Sequence, residues 1–60
     1  MTPEKIDTII EGYNSKGSAI LAILQDIQTE ERYLPKEAME YVSQKMQIPM
    51  TSIFRIAPSA

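Results

Sequence analysis

The chain of 60 residues carries six Lys and Arg against eight Asp and Glu, for a formal net charge of −2, and contains neither Cys nor His. Disulfides, thiolate- or imidazole-bound metals and the common nucleophile-base pairs are excluded within it, because the side chains that perform such chemistry are missing. One small core is all this length allows, and a domain of this size hides only about 60% of its extended-chain surface on folding.

The first predicted helix starts at Thr2, a capping residue, followed by Pro3, which suits a first helical position. Ile6, Ile9, Ile10 and Tyr13 then recur at helical spacing, and Gly12 and Asn14 close the segment. A second helix is expected to be capped by Ser15 or Ser18 and to turn Ile20, Ile23, Leu24 and Ile27 inward. At about 15 residues it would be about 22 Å long. Tyr33-Leu34-Pro35 is the next break, since proline disfavours a helical conformation in the residue before it. Pro35 is then expected to open a third helix running to about Met46, with Ala38, Met39, Val42 and Met46 on its apolar side. Ile48-Pro49 ends that helix and starts a short fourth carrying Ile53, Phe54, Ile56 and Ala57, which Pro58 terminates. The expected fold is all-α, a small three- to four-helix bundle forming a single domain over residues 1–60. Helices this short are marginal alone in water, so mutual burial of their stripes must carry the fold. Ile, Leu, Val and Phe make up 14 of the 60 residues, just above the roughly 20% below which charged chains stay disordered.

The longest mostly apolar stretch, Ala19 to Leu24, falls far short of the roughly 20 residues that cross a bilayer, so direct membrane insertion is not expected. Thr2, Pro3, Glu4 and Asp7 form neither a basic signal segment nor an Arg-rich transit peptide, and a cytoplasmic protein is the default expectation. Glycines 12 and 17 are isolated and make no phosphate loop. The carboxylates come with no nucleophile or ligand set, so no catalytic, cofactor-binding or metal-binding residue is expected in this chain.

Taken in order, Ile23-Leu24-Gln25-Asp26-Ile27-Gln28, Tyr33-Leu34-Pro35-Lys36-Glu37-Ala38, Ile48-Pro49 and Ile53-Phe54-Arg55-Ile56-Ala57 resemble the N-terminal part of one family. It is the thioredoxin-like iron-sulfur subunit of NADH dehydrogenases and of NAD-linked or electron-bifurcating hydrogenases and formate dehydrogenases. The resemblance covers Ile6 to Ala57. It implies a helical bundle preceding a thioredoxin-like domain whose four cysteines hold a 2Fe-2S cluster, beside a partner subunit that binds flavin and NADH. On that reading the chain is the docking and positioning half of an electron carrier, with the cluster in a C-terminal half beyond Ala60. Two positions depart from the family pattern. Arg32 stands where the family has Gly, which would cost about 1 kcal/mol or more if the turn needs a positive φ. Pro58-Ser59-Ala60 stands where the family continues into its next domain.

Four residues are candidates for partner docking: Phe54, Arg55, Met50 and Tyr33. Phe54 with Arg55 is the most interface-like pair, since both types are enriched at hot spots, although core packing is the nearer reading for Phe54 taken alone. Tyr33 reads first as an anchor plugged between helices, with its hydroxyl reaching solvent, and Tyr13 reads the same way. Met39 and Met46 read as core filling before groove lining, and Met50 as either. Asp26, Glu30, Glu31 and Glu37 straddle the turn between helices two and three. They could meet a basic patch, but read first as a solvated face.

Two rival functions remain. Helix three, the Gln47-Ile48-Pro49 turn and the helix beginning near Met50 resemble a helix-turn-helix, which would present Thr51, Ser52 and Arg55 to DNA bases. A single Arg with Glu37 and Glu40 nearby opposes that reading, because affinity for nucleic acid scales with the phosphates neutralised. A free-standing helical adaptor is the other.

Overall fold

The computed structural model describes residues 1–58. Four α-helices follow one another: α1 (Pro3–Gly12), α2 (Ile20–Glu31), α3 (Lys36–Met46) and α4 (Met50–Ile56), with a 3-10 turn at Gly17–Ala19 before α2. No strand occurs among the described residues, so the fold is a small all-α bundle. α1 packs on α2 and α3, while α4 packs on α3 and α2, so the two pairs close around one interior.

That interior is made by the apolar stripes. Ile6 and Ile10 of α1, Ile20, Ile23, Leu24 and Ile27 of α2, Ala38, Met39 and Val42 of α3, and Ile53 of α4 are all buried. Among the described residues no polar or charged residue is buried with them. Met39 is thus core, as its spacing predicts, whereas Met46 and Met50 are half-buried against the cluster's edge.

The helix starts and stops have local causes. Thr2 caps α1, its Oγ1 accepting the Lys5 N–H at 3.3 Å. Neither Ser15 nor Ser18 caps α2, contrary to the expectation. Gly17–Ala19 tighten into the 3-10 turn instead, and the 12-residue α2 begins at Ile20 without a side-chain cap. Pro35 likewise stands one residue before α3 in an extended conformation (ψ 141°), its carbonyl accepting the Met39 N–H. At the far end of α3, Gln47 turns left-handed (φ 56°) and the Ile48 N–H reaches back to the Ser43 carbonyl at 3.0 Å. The Ser43 hydroxyl donates to the Ile48 carbonyl, closing the α3–α4 turn from both sides. The same backbone closure ends α1, where Asn14 is left-handed and the Ser15 N–H bonds the Ile10 carbonyl at 3.1 Å. These are the reverse-turn bonds with which helices satisfy their last carbonyls.

Positive φ falls on Asn14, Ser15, Arg32 and Gln47 and on neither glycine. Arg32, at φ 68° and ψ 0° directly after α2, is costly there, as is Gln47, because a Cβ crowds the backbone and neither has the short hydrogen-bonding side chain of Asn. Arg32→Gly is therefore expected to stabilise the domain by about 0.5–1 kcal/mol, the relief of strain exceeding the added freedom of the unfolded chain. Urea unfolding checks this as a higher midpoint at unchanged slope.

Candidate docking face

Two adjoining grooves bring together two tyrosines and three glutamates. The first, about 310 Å³, lies where the start of α1, the end of α2 and the start of α3 converge. Buried Ile6 and Ala38 contribute its apolar lining, Tyr33 and Tyr41 its aromatic lining, and Glu31 and Glu37 its carboxylates. Tyr33 is 59% exposed, so it is not the inter-helix plug that its position suggests; left-handed Arg32 directs the chain outward just before it. The second groove, about 560 Å³, is lined by Glu37, Glu40, Tyr41 and Met50 among others. Glu37 and Tyr41 border both, which joins Tyr33 to Met50 along one face.

Phe54 lies one turn beyond Met50 on α4, and residues four apart share a helix face. It is 55% exposed, which corrects the reading of Phe54 as core: Ile53, fully enclosed, takes the inward position and turns its neighbour outward. Arg55 is exposed but lines neither groove; it sits in the last turn of α4, where a cation complements the helix dipole. Of the four candidate residues Tyr33 and Met50 line the joined grooves, Phe54 lies one turn from Met50 outside both, and Arg55 lies further round the helix. Leu21, 44% exposed, is on α2 outside both grooves.

Sequence reasoning missed Tyr41. Its hydroxyl donates to Asp7 Oδ1 at 2.8 Å, and the same oxygen is 3.6 Å from Lys45 Nζ, so a three-residue link ties α1 to α3. Tyr13 makes the equivalent link between the end of α1 and α2, donating to Asp26 Oδ2 at 2.8 Å. No local pattern reveals contacts between residues 34 and 13 positions apart. They also alter the acidic cluster. Asp26 accepts from Tyr13, Glu30 pairs with Lys5 at 3.2 Å and Glu31 with the Met1 ammonium at 3.2 Å, so these carboxylates link elements in addition to facing solvent. Glu37 has no ion-pair partner among the described residues.

Both tyrosines titrate above the ordinary 10.0, first because each donates its proton to a carboxylate, then through desolvation and the repulsion of a phenolate by that carboxylate. The folded state thus binds the phenol proton more tightly than the unfolded chain. The stability involved is fully present below pH 10 and is lost as pH rises from there through the folded-state values. Urea midpoints measured across that alkaline window are expected to fall in the wild type and to fall less steeply in the double variant Tyr13→Phe, Tyr41→Phe.

The α3–turn–α4 geometry of the rival reading is present, with Thr51 and Arg55 exposed and Ser52 half-buried. Exposed Glu37 and Glu40 line the groove beside Met50, so the field next to the short fourth helix is negative, the wrong sign for a phosphate backbone. Among the described residues no group of three or more Asp or Glu is placed to hold a metal ion, and no helix is long and apolar enough to cross a membrane.

Fold and face together describe a small helical domain with grooves lined by tyrosine and glutamate. Residues 6–58 match the family model of the thioredoxin-like [2Fe-2S] ferredoxins, and the chain belongs to that family. No solved structure matches it. The 2Fe-2S group for which the family is named does not fit these residues. Its irons are bound by cysteine thiolates, or by histidine in some centres, and the 60 residues contain neither.

Proposed function

We propose that this chain is the non-catalytic docking and positioning domain of a 2Fe-2S electron-transfer subunit. It seats that subunit against the flavin- and NADH-binding subunit of an NADH-oxidising or NAD-reducing complex, of the NADH dehydrogenase or NAD-linked hydrogenase type. The cluster belongs to a further, cysteine-bearing domain of the same subunit. The observation that carries the reading is the exposure of Tyr33 and Phe54 in a chain of the ferredoxin family that has no cluster ligand of its own. Large aromatics left in water by so small a domain are the anchors expected at an interface. Holding a cluster at a fixed distance from a flavin is a problem of placement, which a rigid helical bundle can meet without chemistry of its own.

Co-expression of the tagged chain with a flavin- and NADH-binding subunit tests this. Co-elution of the two in a defined ratio, with flavin absorbance in the peak, is the expected result. Elution of the folded chain by itself, helical by circular dichroism, would overturn the proposal.

A further inference from the structure

We propose that the groove between Tyr33 and Tyr41 receives an arginine-bearing, otherwise apolar segment of the partner, with the guanidinium set against the Tyr33 ring and the Glu37 carboxylate. This deepens the docking proposal and rests on it. The groove already holds one cation: the Met1 ammonium lies 3.2 Å from Glu31 Oε1 on its edge. Glu37, exposed on the same groove, is left without an ion-pair partner among the described residues. An incoming cation therefore meets, besides the paired Glu31, a carboxylate that has no ion-pair partner among the described residues.

Arginine fits these surroundings better than lysine, because a planar guanidinium stacks on an aromatic face while its fork of N–H donors engages a carboxylate. Tyr41 gives that site a fixed boundary, its hydroxyl tied to Asp7, while the Tyr33 ring is free to be covered. Ile6 and Ala38 suit an aliphatic side chain next to the arginine. At about 310 Å³ the space admits one or two side chains and sits at the small end of cofactor-sized sites.

The test titrates the isotope-labelled 60-residue chain with a capped Leu-Arg-Leu-Arg peptide and follows its amide resonances. Two comparison peptides replace both arginines with citrulline, a neutral isostere, or with glutamate. The arginine peptide is expected to shift the amides of Tyr33, Glu37, Ala38 and Tyr41 saturably while those of residues 12–18 stay in place. The citrulline peptide should bind at least about fivefold more weakly, and Glu37→Gln should weaken the arginine peptide about three- to fivefold. Unmoved groove resonances at millimolar peptide in a well-dispersed spectrum, or equal affinity for arginine and citrulline peptides, would overturn the proposal. The peptide comparison uses the wild-type chain and so does not depend on any variant folding. If the peptides fail but the chain still co-elutes with the flavin subunit, this groove assignment falls and the docking proposal stands.

Discussion

Ile53→Ala is expected to detach α4 and to remove roughly 3 kcal/mol of stability, the usual scale for truncating a fully enclosed isoleucine. Ile53 is the single buried residue of a seven-residue helix that has no side-chain cap. Met50, Ile56 and Ala57 only border the core, so little else holds the helix down once the Ile53 side chain is shortened. A domain of this length commands roughly 3–9 kcal/mol in all, so the variant should be close to unfolding. Urea denaturation and far-ultraviolet circular dichroism read the effect as a collapsed midpoint and lost helix signal. A loss below about 1 kcal/mol would show that α4 is fixed by the closure of the Ser43–Ile48 turn instead.

Phe54→Ala, one residue away, is expected to behave in the opposite way. With 55% of its surface in water the ring contributes little to the isolated fold, so the urea midpoint should change by no more than about 0.5 kcal/mol. Binding to the flavin- and NADH-binding subunit should weaken about 30-fold, close to the 2 kcal/mol typical of an aromatic anchor at the centre of an interface. Calorimetric titration against that subunit supplies the second number. Lost stability with unchanged affinity would return Phe54 to the core. The two variants would thus separate what holds α4 to the bundle from what the proposed docking requires of it.

Much of the fold is legible because short helices leave strong marks. Thr2-Pro3 opens α1, the Leu34-Pro35 and Ile48-Pro49 steps break the chain where proline chemistry requires, and the Ile6/Ile10 and Ile23/Leu24/Ile27 spacings select the buried stripes. What is not legible depends on partners distant in sequence or on turns of unusual composition. Ser15 looks like a cap yet is itself left-handed, because α1 closes on Asn14 before α2 can use it. Arg32 carries a conformation that glycine would adopt more cheaply, and only the family's glycine at that place hints at it. The proposed docking face is half legible. Met50 and Phe54 share helical spacing, but Tyr41 becomes part of the face only when its hydroxyl finds Asp7, itself paired with Lys45, and Tyr33 only when the turn after α2 leaves it in solvent. Arg55, plausible from composition, falls off the line because helical geometry places it a quarter-turn past Phe54.

The most direct measurement is hydrogen-deuterium exchange of the chain with and without the flavin- and NADH-binding subunit. Docking through Tyr33, Met50 and Phe54 predicts slowed exchange in residues 33–41 and 50–55 on complex formation, with residues 12–18 of the α1–α2 turn unaffected. Protection confined to residues 12–18, or no change anywhere at saturating partner, would contradict it.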